Sequence, residues 1–345
     1  MAISLNIAGT SVFFAKAFKV EEGAALAAEI ASAVGNLTGL RVVVIDHPPT
    51  AGLLPLLEGL QGAGVEVHLR DHHGDAERDA PVVAACRALL GERAVVETRV
   101  SHPACATLVQ TGEFSGDIIV ADADQDGLTA VLKAAGVSYP ELEADAAVLD
   151  GPATGKTERA LSLLGYRLVR AWGSIPAFGA PNRDKVFVQV AEAFVSATQG
   201  NTAGIEALDR LAVEYERKVA CSKELAATAT EPFTGFRLLD VPKGAEFDPP
   251  TLATELDRGV LVSGRWVTTG PIAKSFGAQV SLARSKDGEK AGIDLAALAV
   301  QAFGTRPEAG WKPEDGVISN TPFLLHLSPK RWEVFQLILG ARMLL

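Results

Sequence analysis

The stretch Ile118–Val137, IIVADADQDGLTAVLKAAGV, reads as a strand running into an acidic turn and then a helix. Asp117–Ala121 is an almost unbroken apolar run, which suits a strand covered on both faces. Gly127–Ala135 places its apolar residues three and four apart, the period of a helix packed on one side. Between them Asp122, Asp124 and Asp126 alternate and end at a glycine. A strand, short loop and helix in succession is the unit of a parallel sheet, and ligands of such sheets bind beyond the carboxyl ends of the strands.

Working outward, the same alternation recurs through the first half of the chain. Strands are predicted at Arg41–Ile45, Val65–Leu69, Ala94–Thr98 and Ala146–Leu149, with helices at Glu22–Val34, Ala51–Leu60, Ala80–Leu90 and Ala104–Gln110. This is the pattern of an α/β fold, a doubly wound parallel sheet, over residues 1–156. Residues 157–230 turn helical, with apolar spacing in Val186–Ala197 and Ile205–Val219, and read as a helical connector. Residues 231–345 read as a smaller α+β domain, with strands at Val260–Ser263, Arg265–Thr269 and Ala278–Arg284 and helices at Ile293–Phe303 and Lys330–Met343. The apolar last helix, Trp332–Leu345, either closes that domain or offers a homodimer face.

Composition narrows the class. At 345 residues and 48% hydrophobic content the chain can bury two cores. Cys86, Cys105 and Cys221 are odd in number and lack CxxC spacing, so reduced thiols are expected rather than disulfides or structural zinc. No run approaches the ~18 apolar residues of a membrane span, and no secretory leader is read, so a cytoplasmic protein with no membrane partner is expected. The formal net charge of -10 is uneven: residues 1–150 hold 9 Lys/Arg against 21 Asp/Glu, and the remainder 23 against 21. Such a front half repels a long phosphate backbone but suits cations and short anionic substrates.

The polar clusters fall at predicted strand ends: Asp46-His47, Asp71-His72-His73, Asp122 to Gly127, and Asp150-Gly151. Five of the six histidines lie between His47 and His102. Carboxylates brought together at one rim repel one another, and hard divalent cations relieve the repulsion; mixed carboxylate and imidazole donors suit Mn²⁺ or Mg²⁺. Two such ions ~3.5–4 Å apart polarise a phosphoryl oxygen and generate a hydroxide nucleophile. Singly, Asp122 and Asp150 equally suit turn or N-cap roles, and His47, His68 and His102 suit surface or satisfied polar positions.

The Asp71-His72-His73 triplet, the DxDxDG stretch, Asp46 after VVVI, SHPACATLV from Ser101 and Asp150-Gly151 together resemble the motifs of the DHH phosphoesterase superfamily. The order differs: the DxDxDG stretch ordinarily precedes the triplet and here follows it, as if the strand order were circularly permuted. The resemblance implies that Asp124 and Asp126 bind two Mn²⁺ ions, with Mg²⁺ a substitute, that Asp46 bridges them, and that His72 and Asp150 complete the set of ligands around the second ion. It implies that His73 faces the substrate, that Asp71 orients the histidines, and that Asp122 is ligand or support. GAQVSLARS and GIDLAALAVQAFG are similar to the family's associated substrate-binding domain, where a glycine-rich segment with a histidine holds the substrate's phosphate; here Gly304-Thr305-Arg306 replaces it. Arg284 and Arg306 are then candidate phosphate contacts, with His102 a further substrate contact. The activity implied is two-metal hydrolysis of phosphodiester or phosphoanhydride bonds in short single-stranded nucleic acid or small nucleotides. Two other readings stand beside it: a catalytically inactive scaffold that keeps the fold, and a nucleotide cradle at Gly151-Pro-Ala-Thr-Gly155-Lys156-Thr157, which is one residue short of a P-loop.

Overall fold

A computed structural model describes residues 2–15, 19–35, 38–74, 80–150, 161–176, 182–268, 270–305, 312–318 and 321–343. It divides into two compact units, Met1–Tyr215 and Glu216–Leu345. The first contains β1 (Ile3–Ile7), β2 (Thr10–Phe14), α1 (Val20–Val34), β3 (Arg41–Ile45), α2 (Leu53–Gly62), β4 (Glu66–Asp71), α3 (Ala80–Leu90), β5 (Ala94–Val96), β6 (Ile118–Ala121), α4 (Gln125–Ala134), α5 (Leu142–Asp150), α6 (Leu163–Trp172), α7 (Arg183–Thr198) and most of α8 (Thr202–Ala227).

The strand order is β1-β2-β6-β3-β4-β5. The five strands from β2 to β5 are parallel and β1 is an antiparallel edge. β3 shows why the sheet is covered on both sides: Val42 and Val44 enter the core under α1, α2 and α3, while Val43 and Ile45 enter the core under α4 to α7. Period-2 alternation normally sorts apolar from polar, but a strand buried on both faces must be apolar throughout. α1 buries Gly23, Leu26, Ala27 and Ile30, one helical stripe. A Cβ on Gly23 would strike the carbonyl of Gly52 at the start of α2, so glycine sets how closely these two helices approach.

The α/β class expected from the sequence is the observed one, and several details differ. Ala146–Leu149 is not a strand but the last turns of α5, where Leu142, Ala146 and Leu149 line one buried face. A run this short fits either period, and tertiary packing decides. Ala104–Gln110 shrinks to a 3₁₀ turn at Cys105–Thr107. The edge hairpin β1–β2 carries too few residues to stand out beside the β3 and β6 runs. The segment 157–230 is shared between the units: Leu168, Phe187, Phe194 and Leu208 join the first unit's core, and Leu225 packs in the second. The P-loop-like Gly151–Thr157 lies outside the described residues.

The second unit contains β7 (Thr230–Phe233), β8 (Phe236–Asp240), α9 (Pro249–Asp257), β9 (Val262–Val267), α10 (Pro271–Phe276), β10 (Gln279–Arg284), α11 (Lys286–Lys290), α12 (Leu295–Phe303), β11 (Val317–Ile318), β12 (Leu324–Leu327) and α13 (Pro329–Met343). Its sheet runs β11-β12-β10-β9-β8-β7, antiparallel except for the parallel β8–β9 pair. Trp332, Phe335 and Leu339 of α13 are buried against Phe236 and the β9–β10 residues, so this helix closes the core of its unit. No helix among the described residues is long and apolar enough to cross a membrane.

Candidate metal centre

The connection from β5 back to β6 reverses the direction in which strands are added, and the gap between β6 and β3 is therefore the point where open α/β sheets bind ligands. Register aligns the strand ends there: Ile45 of β3 pairs with Arg70 of β4 on one side and Ala121 of β6 on the other. The next residues along each strand, Asp46, Asp71-His72 and Asp122, thus emerge at one rim. Asp46 holds φ at +54°, a left-handed conformation that a non-glycine residue adopts only under constraint.

Four donors meet at His72. Its Nε2 lies 3.2 Å from Asp126 Oδ2, 3.4 Å from Asp46 Oδ1 and 4.0 Å from Asp150 Oδ2. Asp46, His72 and Asp126 are buried, and Asp150 is half-buried. His72 Nδ1 donates to the carbonyl of His102 at 2.9 Å, which leaves Nε2 as the nitrogen facing the carboxylates. Asp126 Oδ2 accepts from the Cys105 amide at 2.8 Å. Both supports come from the irregular crossover 97–117, whose apolar residues Ala104, Cys105, Ala106, Val109 and Phe114 are buried in the first unit's core. Lys133 of α4 ties the crossover down by donating to the Ala106 carbonyl at 2.9 Å and pairing with Glu143.

The donors fit a cation. Asp46 Oδ1, His72 Nε2 and Asp126 Oδ1 are buried and make no hydrogen bond among the described residues, although lone-pair atoms of this kind are costly to leave unpaired. Around an octahedral ion with ligands at ~2.1 Å, neighbouring donors sit about 3 Å apart, close to the 3.2 and 3.4 Å seen here. Burial, then the Asp126 and Asp124 carboxylates, hold Asp46 well above the usual carboxylate range against the pull of His72. Burial also raises Asp126, opposed by His72 and the Cys105 amide and reinforced by Asp124. Burial disfavours the His72 imidazolium, yet Asp126 and Asp46 outweigh it and push His72 up to about 11. A group of acids that resists ionisation around a histidine that resists deprotonation is short of positive charge, which a divalent ion supplies.

His73 is held differently. Its Nδ1 donates to Asp71 Oδ1 at 2.8 Å and its backbone amide to Asp71 Oδ2 at 2.9 Å, so the side chain of Asp71 fixes both ring and tautomer. Nε2 then points outward and accepts from the Arg99 guanidinium at 2.7 Å, while the same Arg99 nitrogen reaches Asp150 Oδ1 at 3.2 Å. His73 Nδ1 is 3.8 Å from Asp46 Oδ1, so Asp46, His72 and His73 form one donor group and His72, Asp126 and Asp150 another.

The remaining sequence candidates fall in varied places. Asp124 caps α4, accepting from the Gly127 amide at 2.8 Å, and its charge is felt by Asp46 and Asp126. Asp122 is buried beside it, and a Cβ on Gly127 would collide with its carbonyl. His102 contributes its carbonyl, and its ring Nδ1 bonds Thr107 Oγ1 at 3.0 Å. His47 is buried next to Asp46. Asp150, expected at a strand end, reaches the group from the end of α5. In the second unit Arg284 spends its guanidinium on the Ile293 carbonyl at 2.9 Å and Glu289 at 3.0 Å, a structural tie. Arg306 lies outside the described residues. Sequence reasoning missed Arg99, although a cation just past a strand end in a half with only 9 Lys/Arg was a readable signal.

No protein-family model matches the sequence, and no curated protein matches it. Among solved structures the chain is similar to the pGpG-specific phosphodiesterase PggH from Vibrio cholerae, at 10% identity and a TM-score of 0.44 over 88% of this chain and 98% of that one.

Proposed function

We propose that the chain is a metal-dependent phosphoesterase that hydrolyses phosphodiester or phosphoanhydride bonds of short oligonucleotides or small nucleotides. The observation that carries this reading is the meeting of Asp46, His72, Asp126 and Asp150 from separate segments, with Asp46 Oδ1, His72 Nε2 and Asp126 Oδ1 buried and making no hydrogen bond among the described residues. Two divalent ions, Mn²⁺ or in its place Mg²⁺, would supply Lewis acidity at a phosphoryl oxygen and acidify an attacking water near neutral pH. In this reading Asp46, His72, Asp126 and Asp150 are ligands, with Asp124 and Asp122 at the margin of the set.

The protein's own part is positioning and proton handling. The His102 carbonyl holds His72 in the tautomer that offers Nε2, a role that outer ligands serve in metal sites generally. Asp71 does the same for His73, whose Nε2 meets the substrate, bonding a phosphate oxygen or, when protonated, giving its proton to the leaving oxygen as the P–O bond breaks. The acidic front half disfavours long duplexes, which is why short substrates are preferred here.

The test is Mn²⁺-dependent hydrolysis of bis-p-nitrophenyl phosphate by the wild type and by Asp126→Asn, followed by pyrophosphate, cyclic dinucleotides and short RNA and DNA. Turnover that needs Mn²⁺ and falls at least about 100-fold in the variant supports the reading, by the general cost of losing a group that acts on the reacting centre. Equal rates for the two proteins, or none for either, would instead favour a scaffold that retains the fold.

A further inference from the structure

Arg99 is where the acidic rim meets a cation. It stands three residues past β5, its side chain is 47% exposed, and one guanidinium nitrogen touches both His73 Nε2 and Asp150 Oδ1. These are two of the groups that the proposed function needs for other work. Asp150 is a candidate ligand, and His73 Nε2 is the atom turned toward a substrate.

The charge balance shows why an arginine belongs there. Asp46, Asp71, Asp122, Asp124, Asp126 and Asp150 bring a formal six negative charges to the rim. Two divalent ions return four, so the loaded centre still repels a phosphodiester by Coulomb's law in a partly buried setting. A guanidinium at the mouth offsets part of the deficit, and its planar fork matches two phosphate oxygens at once. Crossover geometry keeps it in reach: the Glu97 amide bonds the Asp71 carbonyl at 2.9 Å and the Gly74 amide bonds the Glu97 carbonyl at 2.8 Å, which stitches the residues just before Arg99 to the triplet loop.

We infer that Arg99 is a substrate-contacting residue of this site: its guanidinium, seated on His73 Nε2 and Asp150 Oδ1, would meet the non-bridging oxygens of the phosphate being cleaved. The inference rests on the proposed function for its substrate, and it makes a separate claim about metal affinity. Arg99 bonds Asp150 Oδ1 while Oδ2 faces His72, so its positive charge beside the donor group opposes a cation there and removing it strengthens cation binding.

The experiment compares wild type, Arg99→Met and Arg99→Lys, with circular dichroism and Tm to establish that each is folded; a half-exposed side chain leaves the core intact. Titration calorimetry with Mn²⁺ alone is expected to show Arg99→Met binding several-fold more tightly than wild type. Titration of the Mn²⁺-loaded protein with inorganic phosphate is expected to show the opposite order, with Arg99→Met about tenfold weaker, the size of one charge-assisted contact, and Arg99→Lys between. With bis-p-nitrophenyl phosphate the loss should lie in KM more than in kcat, the mark of a contact made in ground and transition states alike. Unchanged Mn²⁺ affinity together with unchanged phosphate affinity in Arg99→Met overturns the assignment. A wild type that hydrolyses nothing sinks the phosphoesterase reading alone, because the two calorimetric titrations still decide what Arg99 does.

Discussion

At the scale of residues, the site is a set of buried groups that the protein alone leaves poorly matched. Asp46 is strained in backbone and disfavoured in charge at once, the profile of a residue kept for function at the expense of stability. Asp46→Asn is therefore expected to raise the Tm of the metal-free protein while abolishing the Tm gain expected of wild type with Mn²⁺; differential scanning calorimetry with and without EDTA reads both. A metal-free variant less stable than wild type would contradict the electrostatic account. Gly127 makes a steric prediction. Gly127→Ala drives a methyl into the Asp122 carbonyl at the turn that presents Asp124 and Asp126, and should cost roughly 1–3 kcal/mol by urea denaturation. The triplet, Asp46 and the DxDxDG acids were all visible in the sequence because each is short-range: a strand, then polar residues at its end. The supports were not. The His102 carbonyl and the Cys105 amide are backbone groups, which any residue supplies, so no side-chain pattern announces them.

At the scale of elements, β3 and β6 declared themselves because Val42–Ile45 and Ile118–Ala121 are buried on both faces with no polar residue among them, and β4 through its alternation, with Val67 and Leu69 buried between Glu66, His68 and Arg70. The β1–β2 hairpin and α5 did not. Phe14 of β2 nevertheless anchors the edge of the sheet, fully buried with its ring edge-on to Phe187 at 5.0 Å. Phe14→Ala should cost about 3–5 kcal/mol, enough to unfold much of the first unit near its midpoint, as urea melts followed by Trp172 fluorescence would report. A cost below ~1 kcal/mol would mean that the hairpin is an accessory. α5 was misread because LEADAAVLD satisfies strand and helix periods equally over four residues, and only the burial of Asp145 settles it. That carboxylate accepts from Tyr139 Oη at 2.9 Å and the Ser162 amide at 2.8 Å, contacts that belong to a helix packed against the next segment rather than to a strand.

At the scale of the whole molecule, each unit carries its own linkage to solution conditions. In the first, Mn²⁺ binding the folded state alone should stabilise by about 2.7 kcal/mol at a free concentration one hundredfold above its dissociation constant, and EDTA should remove the gain. In the second, His326 of β12 bonds Ser281 on β10 beneath the reach of Arg265, and burial followed by that arginine lowers its pKa below the ordinary 6.5. The unfolded chain then takes up a proton that the folded chain refuses, so stability is present in full above about 6.5 and is lost as pH falls toward the lower folded value. Protection of the β10 and β12 amides, measured relative to the intrinsic exchange rate at each pH, should fall between pH 7 and about 5, and His326→Gln should flatten that dependence. Protection that rises over the same range would reverse the sign and refute the assignment.

Local chemistry in the sequence decided the class of the protein: apolar runs buried on both faces, helical periods between them, and acids with histidines at the strand ends that point to hard divalent cations. What it left open is long-range by nature. Which strand lies beside which is set by packing across the sheet, so only the tertiary structure could place the late β6 between β2 and β3 and bring Asp126 within 3.2 Å of a histidine 54 positions earlier. The same is true of Arg99 and Asp150, whose meeting depends on a crossover and a helix end that no local pattern encodes.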